Sequence, residues 1–323
     1  MMNGIVRFFR FLLKHKWKIL LTCTLTVWFL VLLFPFNDLN DTVSAQVSRL
    51  TNNRVFIQFD KLSLNPFSTS LTLNKVFVET PQISTLTADS ISVSPSLSAL
   101  ISQKPGGTLK AEGFLKGDVE IHLKPVPKSE SGIEKSKIDF AGKNINLKDL
   151  REMAGLSLPI KGKLQINSQA IADLTFAEQP EVDLSMIIQN FELPPSSIAL
   201  NDLGRMNLPE IKLGMIELKG KLASGKFIIE TGKIGTAKDE FFGDIKGDLG
   251  MTFQNMNGQV IPIFGAYNIS LDMKATRGFK ERAKFFLGFL DGYKSELPGG
   301  GATYKFKIQA AAAGMTPQFT PLR

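Results

Sequence analysis

Cysteine is nearly missing from this sequence of 323 residues. Cys23 stands alone, so no internal disulfide and no cysteine-ligated zinc site can form. Histidine is almost as scarce: His15 lies in a basic stretch and His122 in an alternating one, which does not read as a metal pair. No glycine–lysine pair is followed by Ser or Thr, so a phosphate loop is lacking. There is also no G-x-G-x-x-G after a strand, no G-x-S-x-G elbow and no H-E-x-x-H. Tryptophan disappears after Trp28, and acidic residues are absent from residues 1–36.

The charge divides unevenly. The formal net charge is +8, from 38 basic and 30 acidic residues. Arg7, Arg10, Lys14, Lys16 and Lys18 account for +5 within residues 1–36, which leaves 33 basic against 30 acidic residues beyond them. A nucleic-acid binder carries a basic stripe on its folded domain. Here the excess is a terminal patch, and nucleic acid is not an expected partner.

Beside that patch, Ile19–Phe36 runs for eighteen residues without a charge. As a helix it spans roughly 27 Å, close to the hydrocarbon thickness of a bilayer. Pro35 ends it, and Trp17 is placed as an interfacial anchor. The expected membrane-anchoring side chains are Trp17, Leu20, Leu25, Trp28, Leu32 and Phe34. Basic residues precede the run while Asp38 and Asp41 follow it, so residues 1–18 are expected in the cytoplasm, 19–36 in the inner membrane and 37–323 in the periplasm. A cleaved signal peptide, cut near Val43-Ser44-Ala45, is the rival, but the apolar stretch exceeds the length usual for one.

From residue 54 onward, apolar and polar residues alternate, the period of strands with one dry and one wet face. Buried parallel strands would instead read as continuous apolar runs, so an α/β enzyme fold is disfavoured. The expectation is a mainly β protein: one long, curved antiparallel sheet over residues 37–311, shaped as a groove or a sandwich, with a few short helices. Its candidate apolar groove is lined by Ile121, Leu164, Ile166, Leu184, Met186, Ile188, Leu249, Met251, Leu271 and Phe306. A pentad of apolar-Lys-Gly-(Lys/Asp)-apolar recurs at Leu115–Val119, Ile160–Leu164, Leu218–Leu222 and Ile245–Leu249. Each copy sets a glycine on the apolar face, where the sheet can bend or approach closely.

Helical signals are confined to Ser96–Ser102, Leu147–Ala154 and Gly278–Tyr293. In the last, Phe279, Ala283, Phe286 and Leu290 follow a helical period, joined by Phe285 and Phe289. It is expected as a lid on the sheet, with an interfacial helix or gate as the sharper alternative. Residues 124–137 read as a sub-boundary or mobile hairpin, and 312–323 as a loose tail.

No catalytic constellation emerges. A Ser–His–Asp triad in the exported part could use only His122, which falls on a polar strand face between Glu120 and Lys124. Asp118 and Glu120 share a face as paired acids might, yet alternation produces that spacing on every wet face. A non-enzymatic protein without metal or cofactor is the expectation.

The exit Phe34-Pro35-Phe36-Asn37-Asp38-Leu39 and the segment Leu86–Leu123 (LTADSISVSPSLSALISQKPGGTLKAEGFLKGDVEIHL) resemble the compact variant of the type II secretion system protein N family. That family is itself similar to AsmA-like periplasmic proteins. The resemblance implies a periplasmic accessory component of type II protein secretion that contacts other secretion or envelope proteins. The AsmA likeness implies the alternative, an apolar β groove that holds or transfers phospholipid for envelope maintenance. Neither resemblance carries catalytic residues.

Overall fold

The structure is a computed structural model and describes residues 15–33, 36–65, 68–80, 83–126, 132–200, 204–256, 259–312 and 314–322. Helix α1 (Lys16–Leu33) opens it. A 3-10 turn (Phe36–Leu39) and helix α2 (Asn40–Leu50) follow, the latter not foreseen from the sequence. The chain is then almost entirely strand: β1 (Phe56–Gln58), β2 (Lys61–Asn65), β3 (Ser70–Thr80) and β4 (Ile83–Pro95), then helix α3 (Leu97–Ser102). Strands β5 (Gly107–Phe114), β6 (Gly117–Pro125) and β7 (Ser136–Asn146) lead to helix α4 (Leu147–Met153), whose first turn is capped by the Asn146 side chain accepting from the Lys148 amide. Next come β8 (Lys161–Ala172), β9 (Glu181–Leu193), β10 (Ser196–Leu200), β11 (Gly204–Leu208), β12 (Ile211–Ala223), β13 (Lys226–Ile234), β14 (Phe241–Met256) and β15 (Gln259–Ala275). Helices α5 (Arg277–Arg282) and α6 (Lys284–Gly288), a 3-10 turn (Asp291–Tyr293), and strands β16 (Lys294–Glu296), β17 (Ala302–Ala310) and β18 (Gln318–Pro321) complete it.

Sixteen of these strands form one sheet, in the order β1-β3-β4-β5-β6-β7-β8-β9-β12-β13-β14-β15-β17-β16, with β2 also on β3 and β18 also on β17. Every pairing is antiparallel and nearly every neighbour is the next strand in sequence, the meander that alternation and short turns favour. Only β10 and β11 leave it, as a separate ribbon. The expected long antiparallel sheet with few helices is thus present among the described residues.

The sequence expectations need several corrections. In segment 124–137 the described residues extend β6 and β7, which pair up to Pro125↔Ser136; residues 127–131 lie outside the described residues. The expected tail carries β18, held where Phe319 meets the rings of Phe306 and Tyr293 and the Tyr293 hydroxyl donates to the Phe319 carbonyl. The expected helix Gly278–Tyr293 is broken. Ala283 leaves helical geometry (φ −94°, ψ 11°), yet the Ala283 and Leu287 amides still donate to the carbonyls of Phe279 and Ala283, and all three side chains share one buried cluster.

Burial is concentrated in three places. At the C-terminal end, α5 and α6 cover Met273, Ala275, Ala302, Tyr304 and Phe306. At the other end, Phe59, Leu62, Val76 and Ala88 are packed by Val43 of α2. Between them, α4 tucks Leu147 beside Ile145 and Leu164 along one margin of the sheet. Among the described residues no helix is long and apolar enough to cross a membrane; Phe34 and Pro35 of the uncharged run lie outside those residues.

Candidate functional site

The strand registers align the dry faces into rows that cross the whole sheet. One row passes through Leu62, Leu73, Ile91, Ala111, Val119, Gly142, Ile166, Met186, Leu218, Gly232, Ile245, Leu271 and Phe306, one residue from each successive strand. No polar side chain interrupts it. A parallel row runs Leu71, Val93, Leu109, Ile121, Phe140, Ser168, Leu184, Gly220, Ile229, Gly247, Ile269 and Ile308, where Ser168 is the single polar member. A third joins Leu123, Ile138, Ala170, Val182, Leu222, Phe227, Leu249 and Tyr267. At about 4.8 Å per strand, twelve steps make an apolar strip roughly 58 Å long, measured along the sheet.

Seven of the ten expected groove residues stand in these rows, Leu164, Ile188 and Met251 lie two residues from Ile166, Met186 and Leu249 on the same strands, and the cover is partial. Leu164 and Phe306 are buried, whereas the other eight are only half-buried. Val93 and Leu109 remain 43% and 36% exposed. In a closed core such side chains would be sealed. The strip is sealed at its ends, along one margin and at Leu222, while Ile166, Leu184, Met186 and Leu218 in its middle stay partly accessible.

Two local devices keep it continuous. Left-handed residues reset the alternation: beyond Lys75 (φ 50°) the dry positions of β3 shift from Leu71 and Leu73 to Val76 and Val78, all in one cluster. Asn190 (φ 50°) does the same in β9, where Phe191 joins Met186 and Ile188. The recurrent glycine permits close strand approach. A Cβ on Gly220 would stand 2.7 Å from the Ile228 carbonyl oxygen, and one on Gly247 would meet that of Asn268. Both glycines lie on the dry face, in the row with Leu184, Ile229 and Ile269.

The bend is visible where the sheet meets itself. Strand β14 lies three positions from β9, about 14 Å in a flat sheet. Yet the Gln179 amide donates to the Phe253 carbonyl at 3.0 Å, and the Phe253 amide donates back to Gln179 at 2.7 Å. Asn255 also donates to the Thr175 carbonyl, and the Phe176 and Phe253 rings sit 6.0 Å apart. The end of the β14–β15 hairpin thus reaches back over the β12–β13 turn to the β8–β9 loop. Asp173 organises that loop. Burial opposes its ionisation, but hydrogen bonds from the Thr175 hydroxyl and the amides of Thr175, Ala177 and Glu178 outweigh this and hold the carboxyl below its ordinary range.

The opposite face is wet and ionic. Lys110 pairs with Glu120 at 2.8 Å, and its hydrogen bond holds the Glu120 carboxyl below the usual value. His122 lies between Glu120 (3.0 Å) and the Thr108 hydroxyl (2.8 Å) on that surface. Lys221–Asp183 and Lys305–Asp272 extend the pattern. A polar cavity of about 760 Å³ opens here, lined by Asp89, Lys110, Glu112, Asp118, Glu120 and Lys143. It places the Asp118 and Glu120 pair among lysines.

Of the lid residues, Phe279 is buried and stacks on Phe241 at 4.9 Å, while Phe286 and Leu290 pack on the same cluster. Phe285 and Phe289 face outward, 66% and 62% exposed, edge to face with each other at 5.7 Å. Among the anchor residues Trp17, Leu20 and Leu25 are exposed along α1 and Trp28 is half-buried; Phe34 and the side chain of Leu32 lie outside the described residues. The expected groove list left out residues of β12 and β13 (Ile216, Leu218, Phe227 and Ile229), although the pentad at Leu218–Leu222 marked part of β12; the alternation is broken by Gly214 and by the irregularity between Ile229 and Gly232. No protein-family model, no curated protein and no solved structure matches the chain.

Proposed function

We propose that this is a membrane-anchored envelope protein whose sheet holds lipid acyl chains along its apolar strip. The observation that carries the reading is the row from Leu62 to Phe306, apolar at every strand yet half-buried through its middle. Three to four rows, two residues apart, make a band about 20 Å wide, enough for a chain from one leaflet of a bilayer core about 30 Å thick. A face of this size left to water would be a liability for a soluble protein. Occupation by hydrocarbon removes the liability and needs no catalytic group.

The uncharged run Ile19–Phe36, with basic residues before it, supports α1 as the anchor, the N-terminus in the cytoplasm and the sheet in the periplasm. A second reading, assembly with type II secretion or other envelope proteins, is supported by the outward pair Phe285 and Phe289 on the C-terminal cap.

The test is phospholipid analysis by mass spectrometry of the purified full chain beside Leu218→Asp. Lipid bound to the parent protein and lost from the variant is the expected result. A parent protein free of lipid overturns the acyl-chain reading. Capture of secretion subunits that depends on Phe285 but not on Leu218 would favour the second.

A further inference from the structure

The strip accounts for one apolar face, but the end of the β14–β15 hairpin is apolar on both. Registers pair Met251 with Phe264, Phe253 with Pro262 and Asn255 with Val260 on the dry side. On the other side Ile263 opposes Thr252 and Ile261 opposes Gln254, where the same strands nearer the centre carry Lys246, Asp248 and Asp272. Met256, Val260, Ile261, Ile263 and Phe264 are between 38% and 54% exposed. No Asp, Glu, Lys or Arg occurs between Asp248 and Asp272. On this hairpin end the wet face carries isoleucines where the same strands carry charge nearer the centre.

We propose that the end of this hairpin inserts into the interfacial layer of a lipid bilayer, as a membrane contact separate from the N-terminal helix. A ribbon apolar on both broad faces needs surroundings that enclose it from both sides, which a bilayer does and a one-sided protein surface does not. Depth is limited by the backbone. Beyond Gly250 and Tyr267 the two strands pair only with each other in the sheet, so their outer amides and carbonyls cannot enter dry hydrocarbon unpaired. Along β14, Gln179 takes up the Phe253 amide and carbonyl, Asn255 donates to the Thr175 carbonyl, and Thr252 and Gln254 sit among the isoleucines. The contact is therefore shallow, about 5–10 Å, as for other interfacial elements. With no charge in the segment, it depends on neither anionic lipid nor salt.

This inference does not rest on lipid occupying the strip. The full chain carrying Cys23→Ser and Ile261→Cys has a single thiol for an environment-sensitive dye. It is reconstituted in neutral phosphatidylcholine vesicles whose acyl chains carry bromine, with Lys305→Cys on the wet face as reference. Quenching and a blue-shifted emission at position 261 but not at 305, unchanged by salt or added anionic lipid, are expected. Ile263→Asp, at an exposed site, should weaken the contact by about tenfold or more. A dye at 261 as unquenched as at 305, or quenched only with anionic lipid, overturns the proposal. So does a blue shift that appears only when a partner protein is added.

Discussion

Leu218 stands at the centre of the strip, between Met186 and Gly232, and its replacement by aspartate separates an open face from a closed core. Full burial of a leucine is worth about 1.5–3 kcal/mol, so a half-buried one contributes about 1 kcal/mol. If the face is open to water, the new carboxylate keeps most of its hydration, and Leu218→Asp costs about 1–2 kcal/mol. Met273 supplies the contrast: it is 4% exposed beneath α5, in the cluster with Phe279 and Tyr304. There the lost packing, about 2–5 kcal/mol, adds to several more for an unpaired charge. Against a typical stability of 5–15 kcal/mol, Leu218→Asp should remain folded while Met273→Asp unfolds the C-terminal cap. Urea unfolding followed by circular dichroism measures the first, and hydrogen exchange of β15 and β17 the second. Equal losses above about 4 kcal/mol for both would mean that Leu218 is sealed, and the reasoning would fail.

Gly220→Val should destabilise the sheet by about 1–3 kcal/mol or more, because its Cβ meets the Ile228 carbonyl and the Phe227 ring; thermal unfolding would reveal it. Phe279→Ala is expected to cost about 3–5 kcal/mol, whereas the exposed Phe285→Ala changes chemical stability by under about 0.5 kcal/mol. Gln179→Ala removes both bonds to Phe253, and amide exchange in 251–256 should accelerate about tenfold with the rest of the sheet unaffected. Acid acts at the same junction. The Asp173 carboxyl lies below its ordinary value of 3.8 when folded, so its stabilisation is present above that pH and is lost as pH falls through the lower, folded value. Protection of the β8–β9 loop amides, measured against their intrinsic exchange at each pH, should fall over that window, and Asp173→Asn should remove this loss of protection.

Much of the sheet was legible in the sequence because a two-residue period has one structural meaning when repeated over long segments. Ile160 to Ala170, Val182 to Ile188 and Tyr267 to Ala275 each carry a dry face, and pairing them in order gives the rows directly. Where the period slips, the reading failed for a local reason. Lys75 and Asn190 turn the chain through left-handed geometry and switch the face, which no alternation template anticipates. The break at Ala283 leaves the apolar pattern of Phe279, Ala283 and Leu287 on one face, so the pattern alone gives no sign of it. Helix α2 has a polar composition and a single side chain, Val43, in the adjoining core cluster, so periodicity gave it no signal. The hairpin end escapes an alternation template, which marks the dry face and says nothing of where charge stops. The run from Leu249 to Leu271, free of charge on both faces, was the available sign.

The central claim is that hydrocarbon lies on the dry face of the sheet and not on the wet one. Photo-crosslinking residues placed one at a time at Met186 and at Asp183, neighbours on β9 that face opposite ways, test it in cells. Lipid adducts at 186 and none at 183 are the expected result. No lipid adduct at 186 in a protein that still folds, or equal adducts at both positions, would contradict it.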